Sequence, residues 1–392
     1  MSEVSRGGGW ATLSGASAAA VIVGFASTIL IIMQAAQAVG ATPAQQASWA
    51  AVLCYAMAIT TAILCWRYKM PIITAWSTPG AALIVGSAAG ISYQSALGAF
   101  VVAGVLMVIT GLVRPFERAI EKMPPAIAAA MLAGVLVTYV LKVPLSGLAA
   151  PLLVVPLVIA FFAMRIVLPL YAVPVITALG LALAFVGGGM GAACCSFGIT
   201  PLTFDIPKFE WHAMIGLGVP LYLVTMASQN LPGFAVMRAA GFQPPVSGAL
   251  LTTGTVSILM APFGGHAVNM AAITASLVTG PDAHRDASQR WKIMFPYFVM
   301  YGLVGLAAAS FVQILGALPH ELVVAITGLA LFGPLMGGMT AMLKEPKDIE
   351  AALVTFLVTA SGFSLYGVGA AFWGLSAGLA LWGVKLLNLR PR

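Results

Sequence analysis

The stretch PIITAWSTPG, residues 71–80, lies in a long apolar part of the chain and cannot form one regular helix. It holds two prolines and a glycine, and a proline inside a helix removes a backbone hydrogen bond and clashes with the preceding turn. The pattern predicts an extended piece over about 72–76. A half-helix capped by Ser77 or Thr78 is predicted to follow it.

A second stretch, PFGGHAVNMA at residues 262–271, has the same character. It predicts extended backbone over 264–266 and a half-helix that begins near Asn269. Such backbone is tolerated at membrane depth only where protein or a cavity covers it. Two half-helix N-termini facing each other would offer positive polarity without a formal charge, which suits a carboxylate. The alternative is that prolines and glycines only kink two continuous spans.

The composition decides what surrounds these two stretches. The chain has 392 residues, of which 61% are hydrophobic and 7% charged, whereas soluble domains carry about 25% charged residues. Such a chain can be solvated only by lipid. The net charge of +7 comes from short basic runs between apolar segments, which is typical of topology signals and excludes a nucleic-acid-binding protein.

Apolar segments of about 20 residues predict membrane-spanning helices. The predicted spans are 16–39, 47–66, 71–90, 93–113, 124–141, 147–165, 168–187, 212–232, 245–260, 261–280, 292–316, 319–337, 348–364 and 366–388. With the N-terminus in the cytoplasm, 16 of the 18 Lys and Arg residues fall inside, and only Lys142 and Lys208 fall outside. This bias predicts that both termini are cytoplasmic.

The two interrupted stretches occupy matching positions, the third span of each set of seven. An odd number of spans per half inverts one half relative to the other. The fold class predicted is therefore an all-α polytopic membrane protein with 14 transmembrane segments in a 7+7 inverted repeat. Short strands and half-helices are expected at segments 3 and 10, and transporters of this plan bind substrate where the halves meet.

His266 is the one ionisable residue that we place near mid-depth. Ionisable groups inside a membrane are functional candidates by default, and histidine titrates near neutrality. His266 is therefore predicted to carry a coupled proton or to bind a substrate carboxylate. A neutral histidine that is hydrogen-bonded to the backbone is the alternative.

Polar and aromatic residues near the breaks complete the candidate site. Ser228, Gln229 and Asn230 form a polar cluster before a Pro-Gly pair, and they can bind a ligand or join spans. An aryl ring could stack on Trp76 or on Phe263, although packing is an equally ordinary role for either. The predicted substrate-binding residues are Trp76, Ser77, Thr78, Gly80, Gln229, Asn230, Phe263, His266 and Asn269.

The sequence contains no motif for ATP hydrolysis, for a cofactor or metal site, or for an enzyme active site. There is no Walker loop, so ATP does not drive transport directly, and no cofactor or metal site is predicted. A membrane-embedded enzyme is disfavoured because no acidic residue, histidine or cysteine cluster falls inside the spans. The adjacent Cys194 and Cys195 are expected as free thiols, with a strained vicinal disulfide as the alternative.

At segments 71–86, 228–233 and 263–270 the chain resembles the BenE-type benzoate:proton symporters, and the similarity runs over most of its length. It is more distantly similar to nucleobase–cation symporters and sulfate-permease-type carriers. The resemblance implies a core domain at 1–120 and 212–317, a gate domain at 121–190 and 318–392, and an extracytoplasmic loop at 191–211. It also implies a bacterial inner-membrane location and a possible homodimer.

Nucleobase symporters carry acidic residues at positions that match Gln229 and His266, and losing both negative charges favours an anionic ligand. The resemblance thus predicts a secondary transporter that takes up benzoate or a similar small aromatic carboxylate with a proton. The carboxylate is expected between the half-helix ends at 77–80 and 268–270. A carrier for a nucleobase or another small anion is the alternative, followed by an anion channel of the same fold.

Overall fold

The computed structural model describes residues 8–88, 90–113, 124–186, 198–271, 274–366 and 368–388. The predicted domain boundaries at 120/121 and 190/191 lie outside these described residues, as do Cys194 and Cys195.

The first half contains one strand and eight helices within the described residues. They are α1 (Gly8–Ala38), α2 (Pro43–Tyr68), β1 (Thr74–Trp76), α3 (Thr78–Ser87), α4 (Tyr93–Leu112), α5 (Pro125–Val140), α6 (Lys142–Ala149), α7 (Pro151–Val167) and α8 (Ala172–Val186). A short 3-10 turn, Pro169–Tyr171, joins α7 to α8.

The second half begins with α9 (Trp211–Ala239), a long helix that contains two π-helical segments, Met214–Gly218 and Met226–Asn230. The elements that follow are α10 (Val246–Met260), β2 (Val268–Met270), α11 (Ala275–Thr279), α12 (Met294–Leu306), α13 (Ala308–Gly316), α14 (His320–Met342), α15 (Ile349–Ala360), β3 (Ser364–Leu365), β4 (Val368–Gly369) and α16 (Ala370–Asn388).

The helices are those of a polytopic membrane protein. Among the described residues, 8 helices are long and apolar enough to cross a bilayer, or 9 when the bent pair at α12 and α13 counts as one span. Shorter apolar helices, including α3 and α7, occupy other predicted spans. The total of fourteen segments stays a prediction.

Both interrupted stretches form strands, and the strands pair with each other. β1 runs antiparallel to β2, with Ala75 opposite Asn269 and Trp76 opposite Val268. The predicted extended piece of the first stretch is confirmed. The half-helix expected near Asn269 is wrong, because this residue is in a strand and α11 begins at Ala275. Pairing with β1 holds residues 268–270 in an extended conformation, so the helix starts only after them.

The helices pack in two groups that enclose the strand pair. The strand group comprises α1–α4 and α9–α13 with β1 and β2, in which α10 packs on α4 and α12 on α2. The bundle group comprises α5–α8 and α14–α16, in which α5 packs on both α14 and α15. The roles of these groups as a moving core and a gate stay predictions.

A segment without regular secondary structure, residues 198–210, crosses one end of the strand group. Its backbone N–H groups donate to the Leu306 carbonyl (from Thr200, 2.9 Å), the Ser48 hydroxyl (from Thr203, 3.0 Å) and the Gln94 carbonyl (from Lys208, 2.9 Å). These bonds tie together α12, α2 and α4 at that end.

Candidate functional site

The strand pair is held rigidly by hydroxyl groups from α2 and α12. The Thr74 hydroxyl lies 2.7 Å from that of Thr60 and 3.0 Å from that of Thr61. The Tyr297 hydroxyl donates to the Thr74 carbonyl at 2.7 Å. All four residues are buried. Covered in this way, the strand backbone satisfies the requirement that polar backbone be paired in the membrane.

The N-terminus of α3 is capped by Ser77, as predicted. The Ser77 hydroxyl accepts a hydrogen bond from the Gly80 N–H at 3.1 Å, and the Ser77 carbonyl accepts one from Ala81 at 2.8 Å. Pro79 has no N–H to donate. The Thr78 amide therefore remains as the first-turn donor that has no partner among the described residues.

Gly80 is required by close packing. A Cβ atom at this position would lie 2.5 Å from the Leu221 side chain of α9 and 2.7 Å from the Ser77 hydroxyl. Leu221 and the α3 backbone therefore approach each other so closely that only glycine fits at position 80.

The polar cluster of α9 lies in its second π-helical segment. A π-bulge changes the direction in which successive side chains point, and such bulges are frequent at functional sites. Gln229 and Ser228 line a large cavity. Asn230 is fully buried on another side, where its side-chain oxygen accepts from the Met270 N–H of β2 at 2.9 Å. The two neighbouring amides thus have different surroundings.

His266 is fully buried and both ring nitrogens are engaged. The Trp49 indole N–H can only donate, and it lies 3.1 Å from Nδ1. Nδ1 is therefore the acceptor, which places the proton of a neutral ring on Nε2. Nε2 donates to the Ser77 carbonyl at 2.9 Å. A second proton on Nδ1 would oppose the indole N–H, so these contacts fit the neutral ring.

Asn269 and Phe263 also make protein contacts. Oriented to satisfy its neighbours, the Asn269 amide donates to the Ala75 carbonyl at 3.3 Å and accepts from the Ser77 N–H at 3.2 Å. It thereby links β2 to the start of α3. Phe263 packs edge-on against Phe204, with ring centroids 5.4 Å apart. Neither residue lines the large cavity.

The cavity has a volume of about 990 Å³ and lies between the strand group and the bundle group. Three of the nine predicted site residues line it, namely Trp76, Thr78 and Gln229. The Trp76 indole N–H donates to the Thr28 hydroxyl at 2.7 Å, so its ring presents an apolar face.

Sequence reasoning missed several polar residues of the cavity wall: Ser27, Thr28, Thr274 and Tyr301. Ser27 and Thr28 interrupt the apolar run over residues 18–33 of α1, and hydroxyls at that depth were the signal that could have found them. Gly24 on the same helix is also informative, because a Cβ there would lie 2.8 Å from the Tyr301 hydroxyl.

The charged residues on the cavity wall are both cations. Arg165 and Lys344 line it, and no acidic residue or histidine does so among the described residues. Arg165 is near the end of α7, and Lys344 follows α14. These two residues mark one end of the cavity, and we call this end the mouth.

Hydrogen bonds between residues outside the cavity wall also join the two groups directly. The Gln34 amide of α1 donates to the Thr327 hydroxyl of α14 at 2.8 Å. The Tyr139 hydroxyl of α5 donates to the Ala82 carbonyl of α3 at 3.0 Å. Gln34 thus joins a helix of the strand group to a helix of the bundle group.

A cavity that reaches paired strands inside a bundle of membrane helices is the arrangement expected of a transporter with interrupted helices. Solved structures with this fold include the transmembrane domain of a cyanobacterium bicarbonate transporter, BicA, with a TM-score of 0.57 at 15% identity over 94% of this chain and 96% of that chain. SLC26A9 gives a TM-score of 0.62 at 11% identity over 95% of this chain and 65% of that chain. These likenesses establish the inverted-repeat membrane fold.

The chain belongs to the family BenE, benzoate membrane transport protein, which it matches over residues 10–384. It is 39% identical to the inner membrane protein YdcO of Escherichia coli over 359 residues, which is 92% of each protein. It is 31% identical to the benzoate membrane transport protein of Acinetobacter baylyi over 367 residues, 94% of this chain and 93% of that protein. The protein is a multi-pass inner-membrane transporter of the anion or small-molecule class, and it is not an enzyme.

Proposed function

We propose that this protein takes up benzoate, or a similar small aromatic carboxylate, together with a proton. The observation that carries the proposal is the chemistry of the cavity wall. It is mostly apolar, it presents donors at Thr78 and Gln229, and its only charged groups among the described residues are cations. An anion with an apolar ring matches this combination, because a few placed polar groups in an apolar pocket orient a ligand.

The carboxylate is proposed to lie at the start of α3. The unpaired Thr78 amide and the positive end of the helix dipole favour negative charge there. The side chains of Ser228 and Gln229 have no partner among the described residues and can donate to the same oxygens. The aryl ring then lies against Trp76. Phe263 is outside the cavity, so the proposal uses Trp76 alone.

The carrier is proposed to expose this site alternately by moving the strand group against the bundle group. The basic-residue distribution supports a mouth on the cytoplasmic side, with both termini in the cytoplasm. In this orientation the Gln34–Thr327 hydrogen bond, which joins the two groups, lies towards the outer side. The chain has no nucleotide-binding loop, which favours a gradient as the source of energy.

Uptake into proteoliposomes tests the substrate and the coupling. We expect labelled benzoate to accumulate under an inward proton gradient, and a protonophore to abolish the accumulation. Unlabelled benzoate should compete, whereas uracil, xanthine and sulfate should not. Accumulation of uracil or xanthine instead, or downhill benzoate flux that no gradient concentrates, would overturn the proposal.

The Gln229→Glu variant tests the position of the carboxylate more directly, because the glutamine and glutamate side chains have nearly the same shape. A carboxylate at this position would repel the substrate carboxylate and turn a donor into an acceptor. We expect benzoate affinity to fall by about tenfold or more, equivalent to roughly 1.4 kcal/mol. Gln229→Asn, which keeps the amide, is the matched control. Equal benzoate affinity for Gln229→Glu and the wild type would place the carboxylate elsewhere.

A further inference from the structure

We infer that Arg165, with the rings of Phe161 and Phe332, forms a second binding position for the carboxylate at the mouth of the cavity. This inference rests on the proposed function, since it assigns a further specificity-determining residue to the same transport path. It concerns the bundle group, whereas the central position is built on α3 and α9 of the strand group.

The guanidinium group is held above an aromatic platform. Its central carbon lies 5.3 Å from the ring centroid of Phe332 and 5.7 Å from that of Phe161. The two rings meet edge-on, with centroids 6.1 Å apart. Cation–π contacts of this kind fix an arginine at a cavity wall without neutralising it.

Among the described residues, Arg165 has no acidic partner. The two ion pairs found there, His212 with Glu210 and Lys385 with Glu350, do not involve it. Its hydrogen-bonding contact within the same part of the chain is to the Met336 sulfur at 3.7 Å, and a thioether is a weak acceptor. The described residues therefore leave most of the five N–H donors of this half-buried arginine unused.

The wall beside Arg165 leaves room for a ligand. Gly333 and Gly337 of α14 line the cavity there. A Cβ on Gly333 would be in ordinary contact with a guanidinium nitrogen at 3.8 Å, and a Cβ on Gly337 would meet no atom within 4 Å, so the space beside the charged group is open. A planar guanidinium binds a carboxylate through two parallel hydrogen bonds, and the ring of an aryl acid can contact Phe161.

Lys344 provides the contrast. It lines the same mouth and carries the same charge, but it is exposed and has no ring contact among the described residues. A mobile, hydrated ammonium offers a weaker and less directional site than a fixed guanidinium. If charge alone mattered, Arg165 and Lys344 would be equivalent.

The test measures benzoate transport from each face of oriented vesicles for the wild type, Arg165→Gln, Arg165→Lys and Lys344→Gln. For Arg165→Gln we expect the KM from the mouth side to rise about tenfold, with little change from the other side. That factor corresponds to about 1.4 kcal/mol. Arg165→Lys should recover part of the affinity, and Lys344→Gln should raise the mouth-side KM clearly less than Arg165→Gln, by about twofold.

Two further measurements keep the result interpretable. The mouth-side KM of the wild type should rise with ionic strength, and this dependence should weaken in Arg165→Gln. Phe332→Leu, which removes part of the platform and keeps the charge, should raise the same KM less. A thermal melt verifies that each variant is folded.

The inference is overturned if the wild type transports benzoate while Arg165→Gln shows an unchanged mouth-side KM and salt dependence. It is also overturned if Lys344→Gln has the same effect as Arg165→Gln, since general charge would then explain both. Failure of the wild type to transport benzoate at all would instead overturn the proposed function.

Discussion

Replacing His266 with alanine and with glutamine separates two roles that this buried ring could have. In the folded protein, Nδ1 accepts from the Trp49 indole and Nε2 donates to the Ser77 carbonyl. Glutamine carries one donor and one acceptor and can repeat both contacts, yet it cannot take up a proton near neutral pH. Alanine repeats neither contact.

The loss of stability expected for His266→Ala follows from the hydrogen-bonding groups and the volume that the missing ring leaves without a partner. The Ser77 carbonyl keeps the Ala81 amide as a donor, so only the Trp49 indole N–H becomes unpaired. An unsatisfied buried donor costs about 1–3 kcal/mol. The emptied ring volume, beside Trp49 and Phe100, adds about 2–5 kcal/mol. The total of roughly 3–8 kcal/mol is comparable with the whole stability of many proteins.

We therefore expect His266→Ala to melt well below the wild type, and His266→Gln to melt close to it and to retain uptake driven by a pH gradient. The measurements are thermal unfolding of purified protein and benzoate accumulation in proteoliposomes. The structural interpretation is refuted if His266→Ala melts like the wild type. It is equally refuted if His266→Gln is stable but transports benzoate without responding to the pH gradient, which would support the proton-carrying role.

Further predictions compare two residues of the same type, or of similar chemistry, that lie in one helix but have different surroundings. Asn230→Ala should lower stability by about 1–3 kcal/mol because it removes the buried acceptor of a β2 amide, whereas Gln229→Ala should leave the melting temperature unchanged and weaken benzoate binding. Comparing ligand-free melts with benzoate titrations checks this, and a similar loss of stability in both variants would contradict it. Gly80→Ala should destabilise the protein by about 1–3 kcal/mol through overpacking against α9. Gly86→Ala in the same helix meets no atom within 4 Å, so it should be neutral or slightly stabilising; equal melts for the two alanine variants would argue against this.

Much of the fold could be predicted because few backbone structures are stable inside a lipid bilayer. Apolar length marks helices, and prolines with glycines mark where they stop, so the strand at 74–76 and the cap at Ser77 follow from local chemistry. The second stretch was harder. Its residues 268–270 have no strong local preference, and pairing with β1 makes them a strand. Tertiary contact of this kind leaves little trace in a short sequence.

The candidate site was predicted less completely than the fold. Polar residues near a break are visible in the sequence, but which of them faces a cavity depends on a few degrees of helix rotation. The π-helical segment turns Gln229 towards the cavity and Asn230 towards β2, although the two are adjacent. In the sequence, Arg165 is recognisable only as one of the basic residues that indicate the topology. Nothing in the sequence reveals that it faces a cavity whose other walls come from helices far from α7 along the chain.

The pairing of β1 with β2 also has a consequence for biosynthesis. The partner strands are separated by roughly 200 residues, so β1 enters the bilayer long before the chain that completes it has left the ribosome. Until then, its unpaired amides and carbonyls face a medium that offers no water. A nascent first half must therefore wait in a partly inserted or chaperoned state. Proteins truncated before residue 268 should be degraded rather than accumulate as half-carriers.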